Sequence, residues 1–384
     1  MPQPNSLVRL GRHGRNSTGG CRSLGALARI PSPLVRSNHL SSLQVKFILF
    51  YLEAVFCIIK MSEASTTPDA LTLLLASAIT LAIFVPLTGV LVRFRANYNP
   101  KGLQLDSEGG AAPHTGPVVH SYIGMMSRVY RLEGWAGLYK GLVPTALSTF
   151  AVSLVILFAM DTQGPRHGKY RAPETGILGT LFYSLLMLVI SLPTSIITYR
   201  SITTPHKLSY FNAVGALRVL LTPTERRRPW IIYLTPGLMA AESLHVCIIV
   251  LFLGPMRRML LPGLSERGVI LGNISLVRLV IYLIIFCGTV LALTPLEVIA
   301  TRLAIQRNHA SAEYNSVSQE VDGDAEDTVE YSGTDEDVIG LRHEGDPYLG
   351  LVDCAKRIID EEGWMTLYRA WWITMLGGLG SSFV

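Results

Sequence analysis

The sequence predicts an all-α membrane protein with six transmembrane helices, paired as three tandem two-helix repeats and joined by loops that carry short surface helices. Three observations predict it. Of 384 residues, 49% are hydrophobic and 16% charged, where a soluble globular chain carries about 25% charged residues; the mean hydropathy is +0.37. From Asp69 onward, long apolar runs alternate with polar loops. A proline followed seven positions later by an arginine occurs three times, at intervals of 107 and 102 residues.

Residues 1–60 read as an N-terminal extension. The stretch 1–42 is rich in Arg, Ser, Gly and Pro and has no acid, which is the composition of a mitochondrial transit peptide. An equal reading is that Met61 is the natural start, ahead of a capped helix, and that the first sixty residues are a gene-model extension. Residues 43–59 are apolar but short and carry Lys46 and Glu53, so they suit the membrane interface better than a span. The expected spans are 70–95, 142–160, 175–200, 236–254, 275–303 and 370–384. The first five reach the ~20 residues a bilayer requires. The last, at about 1.5 Å per residue, covers only about 22 Å, so it is an incomplete or a partly crossing helix and the chain reads as truncated there. Amphipathic stretches at 118–132, 209–221 and 348–359 predict surface helices. The units divide as 61–160, 161–260 and 261–384.

Charge is unevenly placed. The net +5 hides twelve acids and one arginine within 308–347, a net of −11. That stretch has no apolar period and predicts a mobile solvated loop, suited to a basic protein partner. Elsewhere the cations are scattered rather than striped with aromatics, which points to the lipid bilayer as partner and excludes nucleic acid. Five cysteines, none in a CxxC, exclude a disulfide framework and a zinc site. The absence of GxSxG, HExxH, P-loop and GxGxxG motifs argues against an enzyme and against a cofactor.

The repeat is carried by PLTGVLVR (Pro86 to Arg93), PTSIITYR (Pro193 to Arg200) and PLEVIATR (Pro295 to Arg302). Each proline removes a backbone donor and bends its helix; three bends at equal depth would close one end of a barrel. A second motif follows in two units: EGWAGLYKG (Glu133, Gly134, Tyr139, Lys140, Gly141) and EGWMTLYRA (Glu362, Gly363, Tyr368, Arg369), identical at five of nine positions. In the middle unit only Tyr233, in PWIIYLTPG, is a candidate counterpart.

These motifs together resemble the mitochondrial carrier family, over roughly residues 70–384. The resemblance implies six helices around a pseudo-threefold axis, a mitochondrial location (inner membrane favoured over outer), a loop 308–347 on the matrix side and alternating-access transport of a small solute. It also implies a gate in which the acid two after each proline pairs with the base five after the neighbouring one. Here those positions are Thr88, Ser195 and Glu297 for the acids and Leu91, Thr198 and Ala300 for the bases. Only Glu297 is charged, so none of the three bridges is expected. Arg93, Arg200 and Arg302 are then expected to anchor to headgroups or to cap helix ends. The opposite gate is degenerate too, at FAMDTQG (Phe158 to Gly164) and FLGPMRR (Phe252 to Arg258).

Seven residues after the YKG glycine, the resemblance implies substrate contacts. Counting gives Ser148, Glu242 with Ser243 beside it, and Gly377. None is cationic, which disfavours nucleotides and carboxylates and favours an uncharged or cationic solute. Thr235–Pro236 reads as a helix start, which puts Glu242 two turns into an apolar helix with His245 on the same face. An intramembrane carboxylate is a functional candidate. The two degraded gates support another reading, a carrier scaffold that no longer transports and docks partners in a mitochondrial membrane.

Overall fold

The computed structural model describes residues 70–101, 104–105, 111–112, 117–150, 176–208, 212–261, 275–308, 337–342 and 346–383. These lie in one compact unit of the chain, Phe56–Val384. The extension 1–60, FAMDTQG and residues 309–336 of the acidic stretch lie outside the described residues.

Helix α1 (Ala70–Ala96) contains Pro86. A two-residue strand pair, Gln104–Leu105 with Ala111–Ala112, follows and departs from the all-α expectation. The surface helix α2 (Tyr122–Leu138) is capped by the Ser121 hydroxyl. Helix α3 begins at residue 142 and is described to 150. Helix α4 (Ile177–Thr203) contains Pro193. Two short helices, α5 (Ala213–Leu220) and α6 (Pro223–Arg227), precede a 3-10 turn, Pro229–Leu234. Helix α7 runs over Leu238–Leu260, with a π segment at Ile248–Leu253. Helix α8 (Leu276–Ile305) contains Pro295. The surface helix α9 (Leu351–Glu361) and a 3-10 turn, Trp364–Tyr368, lead into α10 (Trp371–Phe383).

Four of these helices, within Ala78–Ala96, Ile177–Thr203, Leu238–Leu260 and Leu276–Ile305, are long and apolar enough to cross a membrane. At about 1.5 Å per residue, α4 and α8 exceed the ~30 Å hydrocarbon core. Their outward residues are apolar and bare: Leu178 is 78% exposed, Phe182 72% and Leu276 74%. In water such a face is a liability, and in lipid it is the ordinary surface. Helices occupy all three stretches expected to form surface helices; α2 runs six residues past its predicted end, with a break in the helical backbone at Gly134 (φ 68°).

The proline-containing helices α1, α4 and α8 touch one another pairwise. One core cluster joins α4, α7, α8 and α9 through Ile196, Leu238, Leu303 and Ile358. Another joins α1 and α2 through Val90, Met125 and Val129. Val338 and Ile339 belong to this second cluster. The acidic stretch is therefore not solvated throughout. Arg128 Nε donates to the Val338 carbonyl at 3.1 Å, and Gly340 N donates to Asn97 Oδ1 at 3.0 Å. Two buried apolar side chains in a charged stretch explain why 337–342 docks.

Pro86 leaves the Ala82 carbonyl without its helical donor. The Tyr139 hydroxyl donates to that carbonyl at 3.1 Å, so the tyrosine of the second motif repairs the break made by the proline of the first.

Candidate functional site

The three arginines make one arrangement three times. Arg93 and Arg200 are each 2% exposed and Arg302 is 5% exposed. Arg93 Nη2 donates to Glu133 Oε2 at 2.5 Å, and its Nε donates to the Ile202 carbonyl near the end of α4 at 2.9 Å. Arg200 donates to both oxygens of Glu225, at 2.6 and 2.9 Å, and to the Gln306 carbonyl after α8 at 2.7 Å. Arg302 pairs with both oxygens of Glu362 and donates to the Arg95 and Asn97 carbonyls at the end of α1, each at 3.2 Å. The order runs α1 to α4, α4 to α8, and α8 back to α1. Each guanidinium thus caps the free carbonyls of the next helix end and is neutralised by an acid on a surface segment. Of the two roles expected for these arginines, the structure carries the capping one; they are too buried to reach headgroups.

Lys140 Nζ shares Glu133, at 2.5 Å, and Arg369 Nη2 shares Glu362, at 3.2 Å. Burial holds the Lys140 ammonium down at about 8 despite Glu133. Glu225 is held below the usual carboxylate range: burial opposes this, and Arg200 and the backbone donors of Asn308 and Thr222 outweigh it. Glu225 was not among the sequence candidates. It lies 25 residues after Arg200, against 40 between Arg93 and Glu133 and 60 between Arg302 and Glu362. The available signal was the capping box Thr222 to Glu225, which the structure contains.

The turns into α3, α7 and α10 also repeat. Gly141 (φ 88°), Gly237 (φ 79°) and Ala370 (φ 59°) each precede an inward-leading helix. The start of α7 is therefore Leu238 after Gly237, not Thr235–Pro236. The Thr235 hydroxyl is held by Ile232 O at 3.0 Å and Asn308 Nδ2 at 3.1 Å instead of capping. Glu242 then sits about one turn inside α7 rather than two, and counting from the true turn displaces the seven-residue rule.

A cavity of about 460 Å³ lies between α1, α4, α7, α8 and α10. Its polar lining is Arg95, Tyr199, Glu242, His245, Glu297, Thr301 and Thr374; the remainder is largely aliphatic. Of the predicted contacts, Glu242, His245 and Gly377 line it, whereas Ser148 and Ser243 do not. The Ser148 hydroxyl accepts from Thr194 Oγ1 at 3.2 Å, a contact between α3 and α4.

Glu297 is bonded by Arg95 Nη2 at 2.6 Å and Thr374 Oγ1 at 2.5 Å, with His245 Nε2 at 3.4 Å. None of the three bridges at the expected positions forms, since Glu297 alone of those six residues is charged, but Glu297 finds a partner on α1 outside them. Arg95 lies four residues beyond Leu91, one turn along the same face, so its long side chain reaches the acid that Leu91 cannot. Thr88 and Ser195, at the other two acid positions, donate to Phe84 O and Ser191 O of their own helices, at 2.8 and 3.1 Å. Glu242 accepts no hydrogen bond from a described residue; its neighbours are His245 and Glu297.

The fold and this site define a class: a helical membrane protein whose proline-containing helices are tied end to end around an internal cavity that holds a few charged and hydroxyl groups. The sequence profile of mitochondrial carrier proteins matches residues 62–163 and 277–384, more than half of the chain. The chain belongs to the mitochondrial carrier family, and with that come a solute-carrier reading, a lipid bilayer setting and a mitochondrial membrane. No curated protein matches it. The unmatched middle, 164–276, is the part that holds Arg200, Glu225 and Glu242.

Proposed function

We propose that the protein is an alternating-access carrier of the inner mitochondrial membrane, with three repeats (61–160, 161–260, 261–384), six spans around a pseudo-threefold axis and one central solute site. The observation that carries this is the charge pattern of the cavity. Glu297 has its countercharge in Arg95, whereas Glu242 has none beyond His245. A carboxylate that takes no hydrogen bond from a described residue and faces a largely aliphatic cavity attracts a cation or a proton. The solute favoured is cationic, or uncharged and moved with a proton held between Glu242 and His245. The volume of about 460 Å³ suits a small metabolite-sized solute.

The test is uptake into liposomes containing the full-length protein, with a panel of cationic, neutral and anionic small solutes. Cationic or neutral solutes should enter, and Glu242→Gln should cut the rate at least about tenfold, the equivalent of ~1.4 kcal/mol of transition-state stabilisation. Uptake confined to anions, or a Glu242→Gln protein that transports normally, sinks this assignment. If no solute moves, the second reading leads: a non-transporting scaffold in which the acidic stretch recruits a basic partner. One observation favours it. Among the described residues a single arginine–carboxylate pair, Arg95–Glu297, stands where three would latch the helices.

A further inference from the structure

The middle of the chain carries an exposed cationic run that the carrier reading leaves unused. Arg226, Arg227 and Arg228 are exposed side by side at the end of α6, and Arg218 is exposed on α5. None of the four makes an ion pair or hydrogen bond through its side chain with a described residue. Glu225 is the sole acid between residues 176 and 241, and it is buried and bound to Arg200.

The counterpart is in the same chain. Residues 309–336 hold nine acids and no lysine or arginine. The structure fixes where this segment leaves and where it returns. Asn308 is pinned to α6: its backbone N donates to Glu225 Oε1 at 3.1 Å, its Nδ2 donates to the same oxygen at 3.0 Å, and its carbonyl accepts from Thr222 Oγ1 at 2.8 Å. The segment therefore starts beside the residue that precedes Arg226. It returns at Asp337, whose carbonyl accepts from Arg128 Nη2 on α2 at 2.9 Å. A tether of this kind gives the acids a local concentration in the millimolar range without any new fold. We infer that Arg218 and Arg226–Arg228 form a docking surface for the acidic segment 309–336 of the same chain, so that the basic partner implied by that acidity is the middle repeat itself.

This inference stands whether or not the chain transports, and its test needs no solute. Full-length protein in a neutral detergent is treated with trypsin at low and high salt, following cleavage after Arg226 and Arg227. A variant with the nine acids of 309–336 changed to Asn or Gln should be cut about tenfold faster at low salt, and high salt should bring the wild type to the same rate, because exposed charge pairs are screened within ~3 Å at 1 M salt. In a second measurement R226K/R227K/R228K is coupled with a zero-length carbodiimide. Amide bonds from these lysines to acids within 309–336 of the same chain, lost at high salt, support the proposal. Equal cleavage of wild type and variant overturns it. So does coupling found only between two chains, or protection that arises only with phosphatidylglycerol vesicles and is unchanged in the neutralised variant, which would give the patch to lipid.

Discussion

The Arg200–Glu225 pair offers the sharpest test of how the helix ends are tied. Both side chains are almost inaccessible, at 2% and 0% exposure. Breaking a buried ion pair by removing one partner costs about 3–5 kcal/mol, mostly because the survivor is stranded. The two survivors differ here. After Arg200→Ala, Glu225 keeps donors from Thr222 N and from both nitrogens of Asn308, so the loss should sit near ~3 kcal/mol. After Glu225→Ala, the guanidinium keeps only the Gln306 and Leu220 carbonyls, so the loss should approach ~5 kcal/mol. At about 1–2 °C per kcal/mol for a chain of 384 residues, Arg200→Ala should lower Tm by about 3–6 °C and Glu225→Ala by more. Replacing both, as Arg200→Met with Glu225→Leu, should recover much of the loss, since no lone charge remains. Arg357→Ala, which removes a surface cation facing Asp346 and Asp353, is the control and should leave Tm within about 1 °C. The assay is thermal unfolding of purified protein in detergent. A single substitution that leaves Tm unchanged, or a double that loses the sum of the singles, refutes the reasoning.

Two further outcomes follow from the geometry. A Cβ at Gly237, where φ is 79°, would lie 2.2 Å from Leu351 N and 2.7 Å from Gly350 C; Gly237→Ala should therefore cost more than the ~1–2 kcal/mol of the left-handed conformation alone, whereas Ala370→Gly, relieving φ 59°, should gain up to ~1 kcal/mol. A Tm order that does not place Ala370→Gly above wild type and Gly237→Ala below it contradicts the assignment of these turns as equivalent. For pH, burial lowers Lys140 from 10.5 to about 8. Between those values the unfolded chain binds more protons than the folded one, so this contribution is fully present above about pH 10.5 and is lost as pH falls through 8. The Tm difference between wild type and Lys140→Met should thus shift in favour of wild type from pH 8 to pH 10, and a difference that stays flat would show that Lys140 is not desolvated.

Much of the scaffold was legible because its signals are long or strictly spaced. Apolar runs located the four helices that are long and apolar enough to cross a membrane, proline-to-arginine spacing located the three proline-containing helices, and EGW with its tyrosine located two of the surface turns. The cavity was legible only in part. Glu242 and His245 were found because a charge in an apolar helix is rare, although the helix start was misplaced by the Thr235–Pro236 pair, whose hydroxyl is taken by Asn308. Ser148 lies outside the cavity lining and meets Thr194 instead, as hydroxyls in membrane helices serve helix contacts as readily as ligands. Arg95 was missed because motif positions are counted along the chain, whereas a guanidinium on a long stem covers a full helical turn.

Glu225 was missed for a reason that bears on how such a chain diverges. Along the sequence the middle repeat has lost the EGW run, and its spacing matches neither neighbour. In space it keeps a bidentate arginine–glutamate pair and the link from one helix end to the next. The physical asymmetry between buried and exposed groups accounts for this. An exposed tryptophan such as Trp135 or Trp364 can change at little cost, and loop length can change at a fraction of a kcal/mol. A buried arginine without its acid costs several kcal/mol, so wherever Arg200 persists, some segment must deliver a carboxylate to it. The 3-10 turn Pro229–Leu234 absorbs the altered length between Glu225 and Gly237. The same logic separates the latches from the gate. Arg93, Arg200 and Arg302 are buried and each retains an acid, whereas the gate positions Thr88 and Ser195 could lose their charges because their hydroxyls are satisfied by their own helices. The helix ends are thus fixed by burial, and among the described residues Arg95–Glu297 is the one arginine–carboxylate pair that lines the cavity.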